Sequence, residues 1–166
     1  RGAVIAFVPI LAHKCLGLSC TQIGIIISAH VIITAILQAP FGMLADRVNR
    51  KKLIILGGSA AAVLLLFIPQ VRSFAQLLAL SLCYGVFGAL LLPAATAIMV
   101  TEGRRYGMGG AMSLFNMSMD FGLAIGPLIG GVLSDALGLS YVFYLCSIIG
   151  FLGVCYFGLQ SQQNAP

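Results

Sequence analysis

Asp120 is the one carboxylate that falls deep inside an apolar run, about thirteen residues into a segment that reads as a helix over 107–134. At 1.5 Å per residue it lies roughly 20 Å along that helix, near or slightly past the middle of a bilayer. An ionisable group at such depth seldom faces lipid. At 100° per residue Ser113, Asn116, Met117 and Asp120 share one narrow face, with Gly122, Gly126 and Gly130 on the opposite side. Two roles suit this carboxyl. Facing a water-filled cavity it is a proton carrier, because desolvation favours its neutral form. Otherwise it is a structural group, hydrogen-bonded to a helix end or to residues outside this chain.

A weaker polar stripe, His30, Thr34 and Gln38, recurs at i, i+4 and i+8 of an earlier apolar segment. His30 reads either as a proton relay or ligand contact, or as a histidine satisfying its hydrogen bonds between helices. Ser81, Tyr84, Gly85 and Gly88 share a face of another segment, where Tyr84 either reaches a ligand or packs. Cys15, Cys20 and His13 flank a short loop. A disulfide or weak metal site there competes with plain loop thiols, and four-ligand spacing is missing.

Catalysis finds little footing in these residues. Aspartyl hydrolysis needs two carboxylates, and Asp120 has no second beside it in a span. A serine hydrolase would need a Gly-x-Ser-x-Gly elbow, which does not occur. Gly107-Met-Gly-Gly110 is no dinucleotide loop, because Met112 interrupts it and no strand precedes it. The chain therefore reads as a non-enzyme without metal or other cofactor.

The elements that must position these groups are set by composition. Hydrophobic residues make up 60% of the sequence, charged residues 8%, and mean hydropathy is +1.08. A soluble chain keeps roughly a quarter of its residues charged, so the missing wetted surface faces lipid. Spans of near the ~20 residues that cross a bilayer are expected around 1–13, 21–45, 52–70, 74–100, 107–134 and 140–160, with 161–166 as a short cytoplasmic tail. Period-two alternation is absent, which argues against a barrel. The fold class is an all-α polytopic membrane protein, one six-helix bundle over 1–160 with short links. Arg1, Arg47, Arg50, Lys51, Lys52, Arg104 and Arg105 fall on one side of it, Lys14 and Arg72 on the other. The richer side is cytoplasmic by the positive-inside rule. The net charge of +5 is then an orientation signal, and no basic patch with interleaved aromatics suggests nucleic acid. Arg1 leads straight into an apolar run without a signal-peptide cleavage site, so the chain reads as part of a longer one, with a complete small protein as the alternative.

Gly42-Met-Leu-Ala-Asp46-Arg47-Val-Asn-Arg50-Lys51-Lys52 sits between the second and third spans. It resembles the signature loop of the major facilitator superfamily, with Asn49 where the family usually has a second Gly. Asn tolerates left-handed backbone, so the exchange is expected to be mild. Gly42 would admit a close helix, Asp46 would sit against a helix amino terminus, and Arg47, Arg50 and Lys51 would pair with carboxylates or headgroups. The loop then acts as a conformational switch. As a mere positive-inside anchor it would leave Asp46 and Gly42 without a role.

Gly122, Gly126, Pro127, Gly130 and Gly131 resemble the glycine-proline packing run of drug–proton antiporters in the same superfamily. Tyr84-Gly85 with Pro93, and Ala6-Phe7-Val8-Pro9, are similar to helices ten and seven. The resemblance implies the carboxy-terminal six-helix half of a major facilitator fold in the plasma membrane, or the inner membrane of a bacterium. It implies a small-molecule substrate, protons, the lipid bilayer and an amino-terminal half as partners. Proton-coupled efflux is the leading expectation, with proton-coupled uptake as the alternative and a membrane-embedded enzyme or scaffold behind both. Pro40, Pro93 and Pro127 are expected to kink their helices.

Overall fold

Long apolar runs must satisfy their backbone hydrogen bonds internally, and helices do so within one segment. The computed structural model describes residues 2–163, except the side chains at 3, 102, 105, 106 and 161–163. Among the described residues every regular element is helical: α1 (Gly2–Leu16), α2 (Cys20–Arg47), α3 (Arg50–Phe67), α4 (Phe74–Tyr106), α5 (Met108–Leu137) and α6 (Leu139–Gln163). A 3₁₀ turn, Ile68–Gln70, prolongs α3. Helices α2 to α6 are long and apolar enough to cross a membrane. The described α1 has 15 residues, fewer than the ~20 of a full crossing.

Local signals start and stop these helices. Ser19 caps α2 in a reciprocal box with Gln22, and Ser73 accepts from the Gln76 amide at the start of α4. The expected connections 101–106 and 135–139 contract to single glycines. Helix α4 continues to Tyr106 and stops at Gly107, and α5 stops at Gly138, whose φ values are 115° and 105°. Only glycine turns the chain so sharply without strain. A change from apolar to charged residues marks where a helix leaves the hydrocarbon, not where its hydrogen bonds end. For the same reason α6 takes in 161–163 of the expected tail; Arg1, residues 164–166 and the Arg105 side chain lie outside the described residues.

Two apolar clusters show the alternating course of the chain. One joins Leu11, Leu18, Ile68, Val71, Leu77, Val142 and Phe143, from the end of α1 through the start of α6. The other joins Ala45, Leu53, Leu90 and Ala94, where α2 ends and α3 begins. On the far side of α3, Ser147 donates to the Ala62 carbonyl at 2.6 Å, both atoms being buried between α6 and α3. A Cβ on Gly58 would come within 2.6 Å of Val154 Cγ2, so α3 and α6 pack tightly there. Ile32 and Ile36 of α2 and Leu114, Phe121, Leu128 and Val132 of α5 stay exposed. Such apolar surface is at home in lipid. The chain is a multi-pass membrane protein.

Candidate functional site

Helices α1, α2, α4 and α5 line a half-open cavity of about 630 Å³. His30 and Gln38 of α2, Tyr84 of α4 and Asp120 of α5 all line it. These four come from three helices. Thr34, Ser81 and Ser118 add hydroxyls to the same wall, and α1 contributes Val4, Ile5 and Val8. No Lys or Arg stands among the described lining residues. An apolar chamber with a few convergent polar groups is the usual form of a small-molecule site.

The α2–α4 crossing holds His30 in place. Its Nδ1 lies 2.9 Å from the Ser81 carbonyl oxygen, and its ring stacks on Tyr84 with centroids 5.7 Å apart and planes 28° from parallel. One turn on, the buried Thr34 hydroxyl lies 2.7 Å from the His30 carbonyl and 3.2 Å from the Gly85 carbonyl. A Cβ on Gly85 would meet Ile33 Cγ2 at 2.7 Å, Thr34 Oγ1 at 2.9 Å and the His30 carbonyl at 3.0 Å. The missing side chain of Gly85 therefore sets how near Ser81 and Tyr84 come to the histidine. His30 is at once an interhelix bridge and part of the cavity wall.

Asp120 stands at the junction of two spaces. It lines the main cavity, and with Ser113, Asn116, Met117 and Phe121 it also borders a shallower hollow on the outer side of α5. The polar stripe thus divides, and only Asp120 of the four reaches His30's chamber. The glycine-proline run divides as well. Gly130 is buried, and a Cβ there would clash with the Phe7 ring of α1 and lie 3.1 Å from Val142 Cγ1 of α6. At Gly122 and Gly131 an added Cβ meets nothing within 4 Å, and Gly126 is half-buried. Close approach near Gly122 comes from the other partner: a Cβ on Gly2 would meet the Gly122 carbonyl at 3.1 Å and Leu123 Cα at 2.9 Å.

The 42–52 segment is built around Arg50. Its guanidinium donates to Asp46 Oδ1 at 3.2 Å, the Ala45 carbonyl at 3.2 Å, the Ala97 carbonyl at 3.2 Å and the Thr101 hydroxyl at 2.8 Å. Ala45 lies in the last turn of α2, where carbonyls lack helical partners, so Arg50 also caps that helix. Asp46, 70% exposed, pairs with Arg50 in the first turn of α3. Asn49 is not in left-handed backbone. Its φ is −62°, and its side chain accepts from the Lys51 amide as the amino-terminal cap of α3. The Asn therefore stands for capping and not for backbone tolerance. Gly42 faces Pro93 with 3.9 Å for an added Cβ, an ordinary contact, so this approach does not demand glycine. Arg47 is exposed.

Thr101, Ala97 and Ser118 were not candidates on sequence grounds. Thr101 carried a faint signal as the hydroxyl closing an apolar run, while the Ala97 and Ser81 contacts use backbone carbonyls, which no residue type announces. The thiols of Cys15 and Cys20 are free and exposed, and the described residues hold no group of three potential metal ligands.

Residues 1–165 match the Major Facilitator Superfamily. An MFS-type transporter of Methanocaldococcus jannaschii is 30% identical over 146 residues, covering 87% of this chain and 38% of that protein. Multidrug resistance protein MdtG of Serratia proteamaculans is 32% identical over 80% of this chain and 32% of its own length. The multi-drug resistance efflux pump PmrA of Streptococcus pneumoniae is 30% identical over 90% and 38%. The chain thus spans about a third of the length of these relatives. No solved structure matches it. A helical membrane bundle with this loop, and a family match along nearly its whole length, leaves one assignment: the chain belongs to the Major Facilitator Superfamily.

Proposed function

We propose that the chain forms the carboxy-terminal six-helix half of a proton-coupled exporter of small, largely apolar solutes. The observation that carries this reading is the gathering of His30, Gln38, Tyr84 and Asp120 around one apolar cavity. The amino-terminal half faces that cavity, and the two halves rock to open it alternately to each side of the plasma membrane. Asp120 carries protons because its carboxyl reaches the chamber at mid-membrane depth. Asp46 and Arg50 hold one pose at the cytoplasmic end, where Arg50 ties α2 and α3 to α4. The efflux direction is supported by relatives named for multidrug resistance and efflux. Transport alone accounts for both the cavity and the loop, whereas an enzyme or scaffold leaves the loop idle.

The test is ethidium flux in proteoliposomes containing the full-length protein, oriented as in the cell. A proton gradient directed into the cytoplasmic compartment should drive ethidium out against its own gradient. Downhill leakage unaffected by the proton gradient would defeat the proton-coupled reading.

A further inference from the structure

The partner of His30 decides its tautomer. A carbonyl oxygen only accepts, so the 2.9 Å contact with Ser81 requires the proton on Nδ1. A neutral imidazole has one N–H and one lone pair, which leaves the lone pair on Nε2. No other described group bonds the ring, which is half-buried and lines the cavity. Nε2 is then the only ring nitrogen that a molecule in the chamber can use.

We infer that His30 Nε2 is a hydrogen-bond acceptor of the cavity, for which a ligand N–H or O–H and a proton compete. The ligand arm rests on the transport reading; the tautomer does not. Protonation of Nε2 leaves the bond to Ser81 intact, so the α2–α4 crossing survives while the cavity exchanges an acceptor for a donor. Among the described residues the other titratable groups around the chamber are Tyr84 from α4 and Asp120 from α5. The α1 wall is aliphatic, Ile68 adds another aliphatic side chain, and the α2 neighbours Thr34 and Gln38 are neutral. The ligand class is an apolar or aromatic body bearing at least one N–H or O–H donor, bound less well as the lumen of the cavity acidifies.

Two variants in the full-length protein separate this role from the structural one. His30→Asn places an amide nitrogen where Nδ1 stands, so it keeps the Ser81 bond and removes Nε2. His30→Gln restores a polar group near the Nε2 position without taking up a proton. Ethidium, whose amino groups donate, should bind His30→Asn about tenfold more weakly, and tetraphenylphosphonium, which has no N–H or O–H, should bind as before. With His30→Gln, ethidium should bind at neutral pH and lose the part of its acid sensitivity that His30 supplies, leaving that of Asp120. Equal loss of both probes, or no loss of either, would make His30 a bridge only. Nitrogen-15 histidine NMR of the full-length protein in bilayers tests the same inference without a ligand, the His30 signals being those absent from His30→Asn. An Nδ1–H tautomer, with Nε2 gaining the proton on acidification, is expected. An Nε2–H tautomer at neutral pH would overturn the inference even if transport were intact. Failure of wild-type protein to bind either probe would count against the substrate class, and the NMR result would then decide on His30.

Discussion

Arg50 donates to the Thr101 hydroxyl at 2.8 Å, tying the first turn of α3 to the last third of α4. The same guanidinium reaches the end of α2 through Ala45 and Asp46, so one side chain joins three helices. A lysine keeps the charge but lacks the planar fork that serves four acceptors. Arg50→Lys should therefore cut flux about tenfold, since hydrogen bonds from charged groups contribute about 1.5–3 kcal/mol. Flux in proteoliposomes, normalised to the inserted amount, checks this. A Lys variant with normal flux would reduce the arginine to a surface charge.

Asp46→Asn should also lower flux while leaving insertion intact. The carboxyl is 70% exposed, so its pairing with Arg50 adds little to stability. Under the proposed switch role its effect falls on the balance between conformations. An Asp46→Asn protein that transports normally would remove the switch role.

Glycines of similar appearance should respond differently to a methyl group. Gly85→Ala forces α2 and α4 apart against Ile33, Thr34 and the His30 carbonyl, and overpacking of this kind costs about 1–3 kcal/mol. Gly130→Ala meets Phe7 and should behave likewise, whereas Gly131→Ala faces open space and should be near neutral. Thermal unfolding in detergent separates them. A Gly131→Ala variant as unstable as Gly130→Ala would show that the run packs on both faces.

Helix type, number and alternating course were legible because they rest on hydropathy, which acts through whole segments. Asp120, His30, Gln38 and Tyr84 were legible because polar groups in apolar runs are few. Which of them share a chamber was not, since that depends on helix rotation, and rotation is set by contacts such as Gly85 against Thr34. Asn49 shows a different limit: motif position suggested left-handed backbone, while the amide of Lys51 two residues on offered the side chain a cap.

Asp120→Asn should alter the pH dependence of flux and lower proton-driven export about tenfold, because an amide cannot carry the proton. The comparison is of flux against pH for the two proteins at equal reconstitution. A parallel profile would return Asp120 to a structural role.

Helix α2 turns Ala35 toward the cavity and its neighbour Ile36 away from it. Ala35 lines the cavity, whereas Ile36 is 63% exposed and does not line it. Ala35→Cys and Ile36→Cys, each in a full-length protein otherwise free of cysteine, can be treated with a small water-soluble maleimide with and without ethidium. Labelling at Ala35→Cys that ethidium slows, and little labelling at Ile36→Cys, is expected. Labelling of Ile36→Cys alone, or labelling of Ala35→Cys that ethidium leaves unchanged, would contradict it.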